Sequence, residues 1–264
     1  MKLNIVTWSS NSLGAMFLKE CAKVPEDVTI WMSRKWNLLY GTYDFHIDLL
    51  DRAQIKRQLL SVFWIIDMHD ISEVHLIHTA SKIKNEFNDL ADARYRTDDS
   101  DGDGIDDDVF HSTYTTLENT CEELFACLQS HEKESIPKYL NIICSLVDKK
   151  PWEPSSHKSM VRTNKLMRKY IQEKCEVDAS CAWVCMSVGT IATASEVAYR
   201  KFGDQKYWLS EEEVVRSVLE HNRLFSNSYT DVDLYAPHPQ YNQYFKNETD
   251  VQMTERFKRE IWII

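Results

Sequence analysis

Short apolar segments rich in β-branched residues alternate with longer amphipathic segments along most of this chain. The apolar segments predict six strands, with the sequences LNIVT, VTIWMS, YDFHI, EVHLIHTA, YLNIICSLV and CAWVCMSV. Helical periodicity predicts helices between them, at about 13–24, 52–66, 111–130 and 160–174. Nearly all-apolar strands that alternate with helices are typical of a parallel sheet covered on both faces. The sequence therefore predicts one doubly wound α/β domain over residues 1–264, with a mostly parallel sheet.

Two segments break this alternation. Residues 82–109 are polar and strongly acidic, and they are longer than an ordinary connection of roughly 2–6 residues between strand and helix. We interpret them as an insertion that leaves the carboxyl end of the fourth strand, where open α/β sheets bind ligands. Residues 223–264 are interpreted as a C-terminal extension, whose aromatic side chains either cover the ligand crevice or form a subunit contact.

Charge and composition exclude several classes of protein. A formal net charge of -10 opposes nonspecific binding to nucleic acid. The chain has no apolar run of about 20 residues and no leader pattern at its start, which predicts a soluble, cytoplasmic protein that does not bind membranes. The seven cysteines form no CxxC pair, so we expect buried reduced thiols and neither a disulfide framework nor a zinc site.

Part of the acidic insertion has the spacing of a calcium-binding loop. The segment DSDGDGIDD, residues 99–107, places alternate carboxylates on a glycine turn, and such carboxylates converge on a hard cation. The predicted calcium ligands are Asp99, Asp101, Asp103 and Asp107. Phe110 stands at the twelfth position, where a calcium loop has a bidentate glutamate. A solvated acidic loop without metal is the alternative.

The stretch TWSSNSLG, residues 7–14, follows the first strand and precedes the first helix. A strand-turn-helix junction of this kind presents backbone N–H groups to a phosphate at the helix N-terminus. The stretch resembles the TGxxxGxG turn of the short-chain dehydrogenase/reductase family, although Trp8 and Ser12 stand in two glycine places. The order of segments up to about residue 222 also resembles this family, whose members have a single Rossmann-type domain of similar length.

The resemblance implies NADP or NAD as cofactor. Arg34, after the second strand, resembles the basic residue that neutralises the 2′-phosphate of NADP, and Asp48 corresponds to the residue that contacts the adenine ring. The segment SVGTIAT, residues 187–193, resembles the family's PGxxxT segment beside the nicotinamide and the phosphates. The cofactor-binding residues that the resemblance implies are Thr7, Ser9, Asn11, Ser12, Gly14, Arg34, Asp48, Ala80, Gly189, Thr190 and Thr193.

The family's catalytic residues are a serine after the fifth strand and a Tyr-x-x-x-Lys motif on the next helix. Ser145 matches the serine, and the favoured alignment keeps Lys165 but places Val161 where the tyrosine belongs. A second alignment uses Lys158 and places Pro154 there. Neither residue exchanges a proton, so the hydride-transfer chemistry requires its acid from another group.

Three residues close in sequence carry groups that exchange protons, namely Tyr114, Tyr139 and His157. Asn119 lies on the helix that carries the family's asparagine, about half a turn from the expected position. Scaffold features also match the family: Asp51 is predicted to cap the helix that follows it, and Ser210 with Glu213 predicts a capping box.

Three functions remain open at this point. The first is a divergent NAD(P)-dependent oxidoreductase that acts on a small carbonyl or alcohol substrate. The second is a redox-inactive family member that serves as a binding or scaffolding subunit; the six glycines, against roughly 18 at average usage, favour it. The third is a lyase or isomerase reaction in the same crevice. The resemblance also implies a homodimer or homotetramer.

Overall fold

The computed structural model describes residues 1–7, 12–33, 43–66, 70–79, 101–103, 105–145, 158–188, 209–221 and 229–234. These contain seven strands, β1 (Lys2–Thr7), β2 (Val28–Ser33), β3 (Tyr43–His46), β4 (Glu73–His78), β5 (Lys138–Ser145), β6 (Cys181–Val188) and β7 (Tyr229–Leu234). The described helices are α1 (Ser12–Cys21), α2 (Arg52–Ile65), α3 (Asp107–Phe110), α4 (Thr116–Ser130), α5 (Lys158–Val177) and α6 (Glu211–His221). A π-helical turn, His111–Thr115, joins α3 to α4.

The strands form one sheet in the order β3-β2-β1-β4-β5-β6-β7, and every described pairing is parallel. The predicted doubly wound parallel sheet is therefore confirmed. The chain proceeds outward from β1 to β3 on one side and from β4 to β7 on the other. The strand order thus reverses between β1 and β4, and such a switch point is where open α/β sheets bind ligands.

Helices cover both faces of the sheet. Successive side chains of each strand point to opposite faces, so one strand contributes residues to two cores. On one face, buried residues of β1 such as Leu3 and Ile5 join a core that includes α2, α4 and α5. On the other face, Val6 joins a smaller core with Phe17 of α1 and Val214 of α6. The apolar strands are thereby buried on two sides, as the sequence predicts.

Two features lie inside segments that the sequence left without regular structure. Strand β7 falls within the predicted C-terminal extension, where no strand was predicted, and it pairs with β6 along Trp183 to Val188. Helix α3 begins inside the predicted acidic insertion, because the buried carboxylate of Asp106 accepts a hydrogen bond from the Val109 amide at 3.1 Å and caps the helix.

The predicted helix caps are confirmed. Asp51 accepts a hydrogen bond from the Gln54 amide at 3.1 Å at the start of α2. At α6, the Glu213 amide donates to Ser210 Oγ at 3.2 Å, while the Ser210 amide donates to Glu213 Oε2 at 2.7 Å. The six cysteines whose side chains are described are buried, as expected. None of the helices in the described ranges is long and apolar enough to cross a membrane.

Candidate functional site

The carboxyl ends of the parallel strands lie along one edge of the sheet. Here β1 ends at Thr7, β4 at His78, β5 at Ser145 and β6 at Val188. The N-termini of α1 and α5 follow β1 and β5, and neither helix has an acidic residue in its first turn. Because helix N-termini carry a partial positive charge, this part of the edge suits an anionic ligand.

A buried set of hydrogen bonds lies at the switch point, and we call it the Thr7–His78 link. Thr7 Oγ1 and His78 Nδ1 are 2.8 Å apart, and His78 Nε2 lies 3.2 Å from the carbonyl oxygen of Thr113 in the π-helical turn. Thr79 Oγ1 donates to the Thr7 carbonyl at 2.9 Å. The link therefore joins the end of β1 to the end of β4 and to the turn before α4.

The partners of His78 fix its protonation state. Burial lowers the pKa of His78 from 6.5 to about 4, and its hydrogen bond to the Thr113 carbonyl opposes this only in part. A carbonyl oxygen only accepts, so Nε2 carries the proton, and Nδ1 accepts from the Thr7 hydroxyl. The imidazole is thus neutral, with both of its nitrogen atoms hydrogen-bonded.

A second polar group, the Arg168 cluster, consists of Arg168, Cys185, Ser187 and Asp231. The guanidinium of Arg168 on α5 donates to Ser187 Oγ at 2.8 Å, to Asp231 Oδ1 at 3.0 Å and to Cys185 Sγ at 3.0 Å. The thiol of Cys185 contacts that of Cys144 on β5 at 3.3 Å. The cluster joins α5 to β6 and β7 below the edge that carries Ser145.

Some predicted cofactor-binding residues are described. Thr7 is buried in the link to His78, Ser12 begins α1, and Gly14 lies in its first turn. Asp48 lies between β3 and α2, where its Oδ1 accepts from the Leu50 amide at 3.1 Å. The remaining predicted residues and Trp8 lie outside the described ranges: Ser9, Asn11, Arg34, Ala80, Gly189, Thr190 and Thr193.

The predicted catalytic positions fall on β5 and α5. Ser145 is the last residue of β5. Lys158 begins α5, and Lys165 lies two turns later, so the two lysines lie on one face of the helix. Val161 has no exposed surface. The tyrosine position of the favoured alignment is therefore closed to solvent and holds no group that exchanges protons.

The described candidates for a substitute acid are engaged elsewhere. Tyr114 Oη donates to Glu118 at 3.3 Å, and burial raises the pKa of Tyr114 to about 12. Tyr139 is the second residue of β5, far from the carboxyl edge, and its ring stacks on His75 with centroids 4.5 Å apart. His157 lies outside the described ranges. Tyr139 is therefore not placed to protonate a substrate at the carboxyl edge, and the hydroxyl of Tyr114 already donates to Glu118.

Asn119, which the sequence places about half a turn from the family's asparagine position, supports the loop before α2. Its Nδ2 donates to the carbonyl of Leu49 at 3.1 Å, and its side chain is buried. This contact joins α4 to the loop that carries Asp48. Asn119 therefore acts on the predicted adenine side of the site rather than beside Ser145.

The described aspartates of the predicted calcium loop bind the loop's own backbone. Asp101 Oδ1 accepts from the Asp103 amide at 3.1 Å, and Asp103 Oδ1 accepts from the Ile105 amide at 2.7 Å. Asp107 begins α3, and Asp99 is not among the described residues. Within the described ranges, no three His, Cys, Asp or Glu side chains form a group that could hold a metal ion. Calcium binding stays a prediction.

Sequence reasoning missed His78 and Arg168. The strand segment EVHLIHTA was predicted to be apolar and matched the family only at Ala80, yet its second histidine stands directly at the carboxyl end. A polar ring at that position is a signal that could have been used. Arg168 has no comparable signal, because its partners lie 17 to 63 residues away.

No protein-family model and no curated protein matches the sequence. Solved structures do match. The closed form of serine dehydrogenase with NADP+ has a TM-score of 0.70 at 12% identity, over 94% of this chain and 98% of that chain. A short-chain dehydrogenase from Burkholderia cenocepacia with NADP has a TM-score of 0.64 at 14% identity, over 95% and 94%. A 4-hydroxyisoleucine dehydrogenase with NADH has a TM-score of 0.60 at 15% identity, over 88% and 97%.

These likenesses extend over nearly the whole of both chains. The protein therefore has the Rossmann-type fold of short-chain dehydrogenases/reductases, as the resemblance in its sequence implies. Identities of 12–15% show the fold alone.

Proposed function

We propose that the protein is a divergent NAD(P)-dependent oxidoreductase that acts on a small carbonyl or alcohol substrate. The observation that carries the proposal is the switch point between β1 and β4, where β1 leads into α1 with no acid in its first turn. This junction suits a dinucleotide pyrophosphate. Similar structures contain NADP or NADH, which supports the same cofactor here.

The residues assigned to the cofactor follow from the resemblance in the sequence. The segment from Ser9 to Gly14 would bind the pyrophosphate, and Arg34 would neutralise a 2′-phosphate. Asp48 would contact the adenine ring from the loop that Asn119 supports. Gly189, Thr190 and Thr193 would contact the nicotinamide half.

The bound cofactor would supply or accept the hydride. Ser145, at the end of β5, would orient the substrate oxygen, and Lys165 would hold the cofactor's ribose. Val161 is buried, and its aliphatic side chain cannot exchange a proton. The proton must therefore reach the substrate oxygen from a different group. The same feature favours a second candidate, a protein that binds the dinucleotide without turnover. A homodimer or homotetramer belongs to the proposal on resemblance alone.

The test is a titration of the protein with NADPH and NADH. Binding is measured by the change in tryptophan fluorescence and by the shift in Tm of thermal unfolding. A bound cofactor stabilises the folded state, by about 2.7 kcal/mol at 100 times the Kd. We expect a rise in Tm with NADPH, and no shift at millimolar concentrations of either cofactor refutes the proposal. Binding without oxidation of NADPH by a panel of small aldehydes and ketones favours the second candidate.

Two variants sharpen the assignment of the cofactor. Arg34→Ala should weaken NADPH binding and leave NADH binding unchanged, because only NADPH carries the 2′-phosphate. Arg57→Ala, at an exposed position of α2, is the matched control and should change neither. Equal effects of the two substitutions would contradict the role of Arg34.

A further inference from the structure

We propose that the exposed end of α2 docks into a groove between α1 and α6 of a second copy of this chain, so that copies assemble head to tail. We call the two surfaces the α2 end, which comprises Arg57, Trp64 and Ile65, and the α1–α6 groove. Neither surface includes a residue assigned to the cofactor or to the substrate. Docking therefore goes beyond the proposed function and does not depend on it.

The α2 end carries two adjacent apolar side chains in solvent. Trp64 is 89% exposed and Ile65 is 65% exposed, whereas aromatic side chains gain most when they are buried in a core or an interface. Arg57 is also exposed and precedes Trp64 by seven residues, so both lie on one side of the helix. An exposed apolar patch beside polar residues is typical of a surface that binds another protein.

The charge of α2 has one sign. Its sequence, RAQIKRQLLSVFWI, contains basic residues and no acidic residue. Arg52 pairs with Glu123 at 2.7 Å, whereas Lys56 and Arg57 form no ion pair with any carboxylate that the structure describes. In a chain with a net charge of -10, this unpaired basic face favours an acidic partner surface.

The α1–α6 groove has the matching shape and chemistry. It is a cavity of about 320 Å³ lined by one residue of α1 and five of α6, namely Glu20, Glu212, Val215, Arg216, Leu219 and Glu220. Val215 belongs to the smaller core and Leu219 packs against it, so part of the lining is apolar. Pockets that hold small organic molecules begin at about 300 Å³, so the groove has room for an indole.

The charges around the groove are mainly negative. Glu212 and Glu220 are exposed and form no ion pair within the described part of the chain, and Glu20 pairs with Lys23. Arg216 lies one turn from both Glu212 and Glu220 and only reduces the negative charge. Docking therefore places the indole of the α2 end against the apolar lining and its guanidinium beside carboxylates.

The two surfaces lie on opposite faces of the sheet. Leu59 of α2 belongs to the core shared with α4 and α5, whereas Leu18 of α1 and Val218 of α6 belong to the smaller core on the other face. Each contact thus uses a different surface on each copy and leaves one surface of each kind free. Contacts of this heterologous type continue into rings or filaments rather than ending at a two-fold dimer.

The experiment is sedimentation equilibrium of the protein from about 1 µM to about 1 mM, which covers the Kd values of weak complexes. We expect the mean mass of wild-type protein to rise with concentration beyond that of a dimer. Trp64→Ala should raise the Kd about 30-fold or more, as expected for a central aromatic anchor. Val177→Ala, at a position 81% exposed on α5, is the control and should stay within about 2-fold of wild type.

A second variant tests the groove. Glu20→Arg/Glu220→Arg should raise the Kd about 10-fold or more, because it brings like charges together with Arg57. A mixture of this variant with Trp64→Ala then identifies the pair of surfaces. One variant retains its α2 end and the other its groove, so we expect the mixture to form a heterodimer with wild-type affinity that cannot grow further.

Wild-type protein that stays monomeric over this range, or that stops at a dimer, would overturn the proposal. The same holds if Trp64→Ala assembles like wild-type protein, or if the mixture forms no heterodimer. Far-UV circular dichroism checks that each variant is folded. If the double variant is not, Glu220→Arg alone replaces it in the mixture, since Glu220 is exposed.

Discussion

The Arg168 cluster gives a prediction about stability whose size follows from the structure. Arg168→Met keeps the apolar stem of the side chain and removes the guanidinium. The change deletes the hydrogen bond to Ser187 Oγ at 2.8 Å, the ion pair to Asp231 Oδ1 at 3.0 Å and the weaker contact with Cys185 Sγ at 3.0 Å. It leaves Ser187, which is fully buried, without this donor.

Of these three interactions, those with the two oxygen atoms account for most of the expected loss in stability. A hydrogen bond from a charged donor to a buried hydroxyl contributes about 1.5 kcal/mol or more. The Arg168 and Asp231 side chains are 15% and 31% exposed, so solvent screens their ion pair to about 1 kcal/mol. We therefore expect Arg168→Met to lower the free energy of unfolding by about 2–3 kcal/mol.

The assay is urea unfolding followed by far-UV circular dichroism. Lys169→Met is the matched control, because Lys169 is exposed on the same helix and lies 3.8 Å from Glu173. It should cost less than about 0.5 kcal/mol. In a double-mutant cycle, Arg168→Met and Asp231→Asn should couple by about 1 kcal/mol. A cost for Arg168→Met equal to that of the control, or a coupling of zero, would refute the reasoning.

Two further predictions concern pH and the alignment of α5. The neighbouring side chains of His75, whose Nε2 lies 3.4 Å from Glu73 Oε1, and of Lys2 lower the pKa of Glu73 to about 2, against burial. Glu73 therefore stabilises the folded state above pH 4.5 and loses this effect as the pH falls towards 2. Glu73→Gln should thus cost about 1 kcal/mol at pH 6 and less at pH 3, as measured by urea unfolding at both. Lys165→Ala should raise the Kd for NADPH about 5-fold or more and Lys158→Ala should not, by fluorescence titration; the reverse result would favour the second alignment.

Much of the fold could be predicted because the apolar segments are local signals. The strand from Val28 to Ser33 was predicted with the bounds that the structure has, and α2 begins directly after the predicted cap, Asp51. Strand β7 was missed because its sequence, YTDVDL, carries two aspartates and reads as polar. Asp231 is stabilised in the strand by Arg168, a partner 63 residues away. Contacts at such distances leave no periodic pattern in the sequence.

The sequence predicted the edge of the sheet at which the site lies, but not the contacts within the site. The end of β1 at Thr7 was predicted correctly, whereas β5 ends at Ser145, two residues before the end of the predicted segment. The Thr7–His78 link depends on a π-helical turn. The composition of the segment HSTYT does not distinguish such a turn from an ordinary helix. The sequence therefore indicated where the ligand edge lies, but not which buried side chains connect its parts.

Strand β7 is the outermost strand on its side of the described sheet, next to β6. An unpaired sheet edge invites strands of other molecules to add to it, and charged residues along the edge oppose such addition. Asp231 and Asp233 place acidic residues on this strand, and Arg168 binds one of them from above the sheet. The contact also holds β7 against β6, all of whose residues are buried, so variants that release it should expose an apolar strand and lose solubility before they lose their helices.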